Sequence, residues 1–387
     1  MERVFKKDAE KHPKKGFKRF YPCFNLMKRF ELDSTDRKAR SGILHTAHGA
    51  IETPFFMPVA TKGSAKWLTQ KELEETGTEC IISNAFILYL KPGLEVVKKH
   101  GGLHKFIGWE KGIFTDSGGF QVLSKEFCKR LEEKGVHFLN PYTGKVSVFT
   151  PEESIRIQNG LGSDVAMCLD DVPLHGSNAK RLKESAERTT RWAERCAEAH
   201  KNKKQLLFGI SQGGTNRGLR KKSTREIIDI GFDGIALGGL CIGEEKKAMI
   251  ETVKLSEKEI PEALPRYLMG VGSAKEILDC ISFGMDIFDS CFPARIARHG
   301  TAITSKGNLH LKNASYRFDT KPLDGNCECI VCKSHTRSYL HHLVKTREEN
   351  SQKYLTLHNL FFMQNLIKRA REAIKEGKFE RLKKGHS

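Results

Sequence analysis

The chain has 387 residues, and 39% of them are hydrophobic, which is enough for a sizeable core in one large domain or two ordinary ones. Its apolar runs are too short to span a membrane and its N-terminus lacks the apolar core of a secretory signal, so we expect neither feature. The formal net charge of +19 favours a polyanionic partner, nucleic acid first and an anionic membrane surface second, over a merely lysine-rich surface.

The first segment of the chain, residues 1–28, is rich in lysine and is interrupted by prolines. Its acidic residues argue against a transit peptide, because such peptides are poor in acidic residues. We therefore predict a basic N-terminal extension at 1–28, followed by one domain at 29–387.

From about residue 55, short apolar runs alternate with longer, charged, helix-patterned stretches. Continuous apolar runs of this length suit strands that are buried on both faces of a parallel sheet. Eight such strands alternating with helices predict an α/β fold, a (β/α)8 TIM barrel, with an open doubly wound sheet as the alternative. The predicted strands are residues 55–60, 80–83, 112–115, 165–169, 206–210, 234–237, 267–270 and 285–288.

Polar and glycine residues follow these runs. A TIM barrel builds its active site at the carboxyl ends of its strands, so their recurrence there predicts a site, although a single such residue would indicate only a turn. The residues in question are Thr61, Asn84, Asp116, Asp170, Gln212, Gly238, Gly239, Gly270 and Asp289.

The alternation stops near residue 290, and a segment rich in Gly, Lys and Asn leads to a helical tail. Apolar residues recur there at helical spacing, which predicts a helix packed against the rest of the protein and ending near Gly377. The predicted stripe is Leu360, Met363, Ile367, Ala370 and Ile374.

The eleven cysteines favour a reducing cytosol and a metal site over a disulfide framework, because their number is odd and no secretory signal is present. Cys327, Cys329 and Cys332 have the spacing CxCxxC, which brings three thiolates within reach of one ion. A closed set of four S/N ligands is typical of structural zinc. We predict such a site in a subdomain at about 300–360, with three merely buried or reactive cysteines as the alternative. The spacing leaves the fourth ligand open among His335, His341, His342 and His358.

Two aspartates that follow different predicted strands could converge at the mouth of the barrel. Asp116 is followed by glycines, which allow close backbone approach, and by Phe120, which offers a stacking face for a base. Asp289 is followed by Arg295 and Arg298, which suit a sugar-phosphate substrate. Two carboxylates around a glycosidic carbon can act as nucleophile and proton carrier, whereas a structural ion pair is the alternative for Asp289.

Further polar groups at the same strand ends fit a guanine base. Asp170, Gln212 and the backbone of Gly238 and Gly239 offer both acceptors and donors. Guanine presents N1–H and an exocyclic amine as donors and O6 and N7 as acceptors, so these groups could read it.

Taken together, the motifs resemble those of the bacterial-type tRNA-guanine transglycosylases, the queuine tRNA-ribosyltransferases. The resemblance runs from about residue 30 to residue 378 and rests on many motifs in the same order. These motifs are residues 45–49, 52–54, 116–121, 162–164, 169–171, 212–214, 238–240, 267–272, 288–289, the cysteine cluster and 358–360.

The resemblance implies a TIM barrel with a zinc-bearing insertion, usually dimeric. It implies a cytoplasmic pentosyltransferase that exchanges the wobble guanine of tRNAs with a GUN anticodon for a 7-deazaguanine, in queuosine modification. Such an enzyme needs no nucleotide cofactor, because each half-reaction trades one glycosidic bond for another.

The resemblance also implies roles for individual residues. Asp289 matches the nucleophile that forms a covalent RNA intermediate, and Asp116 matches the acid/base residue. His358 matches the fourth ligand of one structural Zn²⁺ per chain, beside the three cysteines. The guanine pocket is matched by Asp116, Ser117, Gly118, Gly119, Phe120, Asp170, Gln212, Gly238, Gly239, Leu240 and Met269. The RNA contacts are matched by Gly270, Val271, Gly272, Ser273, Ala274, Lys275 and Glu276, and by Ala294, Arg295, Ile296, Ala297 and Arg298.

Some positions depart from the usual bacterial pattern. Residues 84–88 differ from it, Ala294 replaces a threonine, Val172 is similar to the eukaryotic queuine enzymes, and Ile242 is similar to the bacterial ones. The incoming base is therefore left open between 7-aminomethyl-7-deazaguanine and queuine. Two alternative functions are a non-catalytic tRNA-binding subunit and a glycosidase or nucleosidase acting on small molecules.

Overall fold

The computed structural model describes residues 29–386, and the basic extension predicted at 1–28 lies outside the described residues. The strands are β1 (Phe30–Asp36), β2 (Ala39–Thr46), β3 (Gly49–Thr53), β4 (Phe55–Pro58), β5 (Cys80–Asn84), β6 (Gly112–Asp116), β7 (Cys128–Leu131), β8 (Val136–Leu139), β9 (Val146–Phe149), β10 (Val165–Met167), β11 (Leu206–Ser211), β12 (Gly234–Leu237), β13 (Arg266–Leu268), β14 (Ile287–Ser290), β15 (Thr301–Thr304) and β16 (Gly307–His310).

The helices complete the element list. They are α1 (Gln70–Glu75), α2 (Ala85–Leu90), α3 (Leu94–Lys99), α4 (Leu103–Ile107), α5 (Gly119–Val122), α6 (Pro151–Leu161), α7 (Ala179–Ala199), α8 (Arg217–Ile230), α9 (Lys246–Glu257), α10 (Ala274–Ile281), α11 (Phe292–Arg298), α12 (Ile330–Ser334), α13 (Arg337–Thr346), α14 (Glu349–Lys375) and α15 (Phe379–Lys384), with a short 3-10 turn at Ala314–Tyr316. Among residues 29–386, none of these helices has both the length and the apolar character that crossing a membrane requires.

Within residues 29–386, eight parallel strands form one sheet in the order β4-β14-β13-β12-β11-β10-β6-β5. The sheet closes where Val59, directly after β4, bridges Ile82 of β5, and the Ala60 N–H donates to the Ile82 carbonyl over 2.8 Å. Each strand corresponds to one of the eight predicted runs. The predicted TIM barrel is therefore confirmed, and the open-sheet alternative is wrong.

Several strands extend further toward their polar ends than the apolar runs predicted. In β6, Asp116 pairs with Asn84 of β5, and in β14, Asp289 pairs with Met57 of β4. Because all eight strands are parallel, their carboxyl ends meet at one mouth of the barrel. The register of the sheet therefore fixes the backbone positions of both candidate aspartates.

Aromatic rings pack across the interior of the barrel. Phe114 of β6 lies 5.5 Å from the ring of Phe208 in β11 and 6.0 Å from those of Phe55 in β4 and Tyr267 in β13. None of these strands is a sheet neighbour of β6, so the contacts run through the barrel rather than along the sheet. The interior of the barrel is thus filled by side chains rather than open as a channel.

The apolar pattern did not predict three small antiparallel sheets within residues 29–386, namely β1-β2-β3, β7-β8-β9 and β15-β16. The first of these is fastened to the barrel by a buried ion pair between Arg40 and Asp286. Arg40 also donates to the carbonyls of Glu262 and Leu264. Short strands with mixed burial give little sequence signal, because neither period nor length separates them from loops.

The helical tail has the structure that its apolar spacing predicted. It forms α14, in which the whole predicted stripe is buried, and Gly377 follows its end with a φ of 68°. Asn359, fully buried in this helix, accepts a hydrogen bond from Ile303 N–H and donates to the carbonyls of Pro293 and Thr301. One side chain therefore joins α14 to α11 and β15.

We expect Asn359→Ala to lower the free energy of unfolding by roughly 2–4 kcal/mol, because it leaves three buried backbone groups without partners. Urea denaturation monitored by circular dichroism measures this. Asn350→Ala, at an exposed position near the start of the same helix, is the matched control and should change stability by less than about 0.5 kcal/mol. Equal stabilities for the two variants would contradict the anchoring role of Asn359.

Candidate active site

A cavity of about 410 Å³ opens at the carboxyl ends of the barrel strands. It brings together most of the side chains that the sequence singled out, although they come from many different strands. Its lining includes Asn84, Asp116, Phe120, Asp170, Gly238, Gly239, Leu240, Met269, Gly270, Asp289 and Arg295. The remaining predicted pocket residues, Ser117, Gly118, Gly119 and Gln212, are buried behind this lining.

Asp289 is held at the end of β14 by two donors that bind the same oxygen. The Tyr267 hydroxyl donates to Oδ1 over 2.6 Å, and the Gly270 N–H donates to Oδ1 over 3.0 Å. Burial raises the pKa of Asp289, and these two hydrogen bonds oppose the rise. The donors fix the orientation of the carboxylate and leave Oδ2 clear of both.

Asp116 ends β6 beside Asn84, whose amide donates to Oδ2 of the carboxyl group over 3.2 Å. Burial, and then the negative charge of Asp289, raises the pKa of Asp116 to about 6. A carboxyl group with that pKa exchanges its proton readily near neutral pH, which suits an acid/base role.

Asp170 lies deeper in the cavity and is bound by Gln212, whose Nε2 donates to Oδ2 over 2.7 Å. Burial, and then the charge of Asp116, raises the pKa of Asp170 to about 7. Gln212 Oε1 is buried and has no hydrogen-bond partner among residues 29–386. The amide oxygen of Gln212 is therefore an acceptor that no group in the described part of the chain binds. It lies beside the Asp170 carboxyl group, which titrates near neutrality.

Glycine is required where the backbone approaches these side chains closely. A Cβ on Gly119 would lie 2.6 Å from Asp170 Oδ1, well inside van der Waals contact. Gly239 has a φ of 65°, and a Cβ there would collide with Gln212. The glycines thus allow Asp170 and Gln212 to sit between two loops that close in on them.

The predicted RNA-contact segments lie at the rim of the cavity but are only partly accessible. Gly270 and Arg295 line the cavity, while Ala294 and Arg298 line an adjoining cavity of about 760 Å³. Val271 and Ala297 are buried, so they pack in the core rather than face a ligand. In the first segment Ser273 caps α10, which contains Ala274, Lys275 and Glu276.

Cys327, Cys329 and Cys332, which their spacing predicted as ligands, lie together with His358, which the resemblance implied as the fourth, and the group could hold a metal ion. The Nδ1 of His358 lies 3.4 Å from the sulfurs of Cys329 and Cys332 and 3.7 Å from that of Cys327. A tetrahedral zinc with ordinary Zn–S and Zn–N distances places such atoms about 3.5 Å apart. His358 Nε2 donates to the Ile303 carbonyl over 2.8 Å, so the lone pair of Nδ1 faces the three sulfurs.

Comparison with known proteins gives this site its context. A family model described as queuine tRNA-ribosyltransferase matches residues 34–386. Curated queuine tRNA-ribosyltransferases are 48% identical over 354 residues in Thermotoga neapolitana and 46% identical over 356 residues in Francisella tularensis subsp. novicida. These alignments cover 92% of this chain and 96% and 97% of the two relatives.

The chain belongs to the queuine tRNA-ribosyltransferase family. This is a family of pentosyltransferases, the tRNA-guanine transglycosylases, as the resemblance implied. A further relative of the same name, from Halothermothrix orenii, is 46% identical over 353 residues, which are 91% of this chain and 94% of that protein.

In this family member, sequence reasoning missed several residues of the site. Tyr267 was noted within a motif, but its hydrogen bond to Asp289 was not foreseen, and neither was the bond from Asn84 to Asp116. Cys241 and Cys291 also line the cavity. The sequence had placed Asn84 at a strand end facing the site, but not its contact with Asp116. Tyr267 gave no such signal, because it lies inside an apolar run.

A second group of possible ligands, His48, His104 and Asp164, lies at the amino ends of the strands. The two imidazoles are stacked with centroids 3.5 Å apart, so their in-plane lone pairs cannot point at one common ion. His104 Nε2 also lies 3.1 Å from the carbonyl of Lys111, which can only accept, so that nitrogen carries a proton. The group is a hydrogen-bond network around Asp164 rather than a metal site.

The raised pKa of Asp170 makes a prediction about stability. The folded protein holds this proton more tightly than the unfolded chain, so ionising Asp170 destabilises the fold as the pH rises from about 4 to about 7. Relative to Asp170→Asn, the wild-type protein should lose up to about 1.4 kcal/mol of unfolding free energy per pH unit in this range. Denaturant unfolding of both proteins from pH 5 to pH 8 measures the difference.

Asp164→Asn is the matched control with the opposite sign. Burial alone would raise the pKa of Asp164, but hydrogen bonds from His104, the Ile113 N–H and His48 lower it overall. The stability contributed by its ionised form is therefore lost only as the pH falls below its ordinary pKa of 3.8, so between pH 5 and pH 8 the difference between Asp164→Asn and the wild type should stay constant. A pH-independent difference between Asp170→Asn and the wild type would show that Asp170 has an ordinary pKa.

Proposed function

We propose that this protein exchanges the wobble guanine of tRNAs with a GUN anticodon for a 7-deazaguanine, either 7-aminomethyl-7-deazaguanine or queuine, in queuosine modification. The observation that carries the proposal is the placement of Asp289 and Asp116 in one cavity with Asp170 behind them. Residues 29–387 act as one transglycosylase domain, with the zinc-bearing subdomain at about 300–360 inside it. The reaction takes place in the cytoplasm, where the tRNA substrate is available.

In the first half of the proposed reaction, Asp289 is the nucleophile. Tyr267 and Gly270 both bind Oδ1, so Oδ2 is the atom placed to attack C1′ of the ribose. As the new C1′–O bond forms, the C1′–N9 bond breaks and its electron pair remains on the guanine. Asp116 supplies a proton to the departing base, for which a pKa of about 6 leaves it suitable near neutral pH.

In the second half, the deazaguanine takes the place of guanine. Asp116, now ionised, accepts the proton from N9 of the incoming base as that nitrogen attacks C1′. The C1′–O bond to Asp289 breaks and the carboxylate is restored. One glycosidic bond has replaced another, so the exchange needs no external energy source.

Base recognition is assigned to the residues around Asp170. Its ionised carboxylate accepts from N1–H and the 2-amino group, while the second N–H of the Gln212 amide and, from the Gly238–Gly239 backbone, the Gly239 N–H donate to the oxygen edge. The Phe120 ring is 54% exposed and lies at the cavity wall, where a base can stack on it. Leu240 and Met269 supply further apolar lining.

Binding of the RNA itself is assigned to the rim. Arg295 and Arg298 lie beside the cavity and suit phosphate groups, and the net charge of +19 favours a polyanion overall. A single-stranded anticodon loop can turn its base into a pocket at low cost, because that base is unpaired. Segments 270–276 and 294–298 therefore border the path of the RNA.

Asp289→Asn should reduce guanine exchange by at least about a thousandfold, because an amide cannot act as the nucleophile. Incorporation of labelled guanine into unmodified tRNA measures the activity. The wild type, denatured during turnover, should yield a protein–RNA adduct whose peptide contains Asp289. Asp279→Asn, on the outer helix α10, is the control expected to exchange normally.

Retention of exchange in Asp289→Asn, or an adduct through another side chain, would reject the covalent role of Asp289. The two alternative functions have separate signatures in the same assay. A non-catalytic subunit would show no exchange as a purified single chain, although both candidate carboxylates are present here. A small-molecule glycosidase would release guanine from a nucleoside in the absence of tRNA.

We also propose that Cys327, Cys329, Cys332 and His358 bind one structural Zn²⁺ per chain. The support is the donor chemistry, the 3.4–3.7 Å separations and the Nδ1 lone pair that faces the sulfurs. When bound, the ion would crosslink the α12 region to α14 and supply folding free energy rather than reaction chemistry. The proposal includes a homodimer, and the exposed side chains of Ile330 and Tyr339 in this subdomain are candidates for its contact.

Cys329→Ser should lower zinc content below one per chain and lower the melting temperature by several degrees, because a ligand is lost. Exchange per folded molecule should fall far less than in Asp289→Asn. Metal analysis, thermal unfolding and the labelled-guanine exchange assay give the three readouts. Cys128→Ser, away from the cluster, is the control; full metal content in Cys329→Ser would reject Cys329 as a ligand.

A further inference from the structure

Arg220 in α8 is a fully buried arginine directly behind the base-reading loops. Its guanidinium donates to the carbonyls of Ser211 over 2.7 Å, Gly238 over 2.7 Å and Gly214 over 3.1 Å. Among residues 29–386 no carboxylate forms a hydrogen bond or ion pair with it, and Glu244 is the acidic group that acts on it from a distance. The buried cation is thus solvated by three backbone carbonyls and the Ser211 hydroxyl, which accepts over 3.2 Å.

Such an arrangement is costly, because a charge is removed from water without a counter-ion beside it. Burial lowers the pKa of Arg220 to about 9, so the group stays protonated at neutral pH. An apolar side chain would fill the same space without this cost. The role of the Arg220 charge therefore lies in the backbone groups that it contacts.

The carbonyls that Arg220 binds belong to the two loops that hold the base-reading groups. Ser211 ends β11 just before Gln212, Gly214 follows in the loop after β11, and Gly238 directly precedes Gly239 after β12. The same helix also binds the first loop through Ser223, whose hydroxyl accepts from the Gln212 N–H over 3.0 Å. Helix α8 therefore sets the distance between the two loops.

The bond to Gly238 has an electrostatic consequence as well. In a trans peptide the C=O and the following N–H point in opposite directions. Because the Gly238 carbonyl points at Arg220, the Gly239 N–H points away from it, on the side of the cavity that Gly239 lines. Among residues 29–386 that N–H has no backbone acceptor. A cation on the carbonyl polarises the peptide and makes its N–H a stronger donor.

We propose that Arg220 is a positioning residue for the oxygen edge of the purine, acting through the Gly238–Gly239 peptide. This inference rests on the proposed function. When the C1′–N9 bond breaks, its electron pair spreads over the purine toward O6. A strengthened Gly239 N–H stabilises that oxygen more as the negative charge develops, so Arg220 favours release of the base as well as its binding.

The test compares guanine with 6-thioguanine, which keeps N1–H and the 2-amino group but replaces O6 by a weaker acceptor. Calorimetry gives the ratio of the two dissociation constants for the wild type, Arg220→Met and Arg220→Lys. We expect the preference for guanine to fall about fivefold to tenfold in Arg220→Met and less in Arg220→Lys, which keeps the charge. The kcat for exchange should fall more than KM for the base rises.

Arg266→Lys is the matched control. Arg266 is also buried and donates to backbone carbonyls, those of Gly284 and Ile260, but it begins β13 at the opposite end of the barrel. Its variant should keep the wild-type ratio even where stability falls. A purely structural role of Arg220 would weaken both ligands equally, and an unchanged ratio in Arg220→Met overturns the inference.

The experiment also distinguishes a variant that fails to fold from a failure of the proposed function. Where Arg220→Met fails to fold, Arg220→Gln decides, because it removes the charge but keeps an amide donor, and a wild-type ratio in that variant overturns the inference. Failure of the wild type to exchange labelled guanine into tRNA would reject the proposed function. The ligand ratio in the variants would still test the role of Arg220 independently.

Discussion

Three carboxyl groups share one cavity at the mouth of the barrel, and the cost of burying them together shapes the structure around them. Burial and mutual repulsion raise the pKa values of Asp116 and Asp170 to about 6 and about 7. Three carboxyl groups that are so close together and so poorly hydrated cannot all be ionised unless hydrogen-bond donors stabilise their charges. Neutral donors supply it: Asn84 for Asp116, Gln212 for Asp170, and Tyr267 with the Gly270 N–H for Asp289.

The compensation comes from dipoles rather than from salt bridges, so the pKa values of Asp116 and Asp170 stay raised. A guanidinium beside Asp116 or Asp170 would lower its pKa and fix it in the ionised form. The buried arginine of this region, Arg220, is instead turned toward backbone carbonyls. The charged arginines at the rim, such as Arg295, lie where a sugar-phosphate chain would pass. Positive charge is thus separated from the groups that carry protons.

The outer structure holds this mouth in place from one side. Helix α14 packs its apolar stripe against the barrel, and Asn359 joins it to α11, the helix that carries the rim arginines. His358, the preceding residue, connects the cysteine cluster to β15 through the Ile303 carbonyl. The cysteine cluster and the mouth of the barrel are therefore linked through consecutive residues of one helix.

The sequence alone determined the barrel, because eight apolar runs with polar ends leave few other folds, and it determined three of the cluster's ligands by their spacing. The resemblance to a known family added His358 as the predicted fourth ligand and the predicted roles of Asp289 and Asp116. Only the tertiary structure showed that Tyr267 reaches Asp289, that Val271 and Ala297 are buried, and that Arg220 lies behind the pocket. These facts depend on contacts between residues far apart in the chain, and neither periodicity nor local composition records which strands and helices will become neighbours.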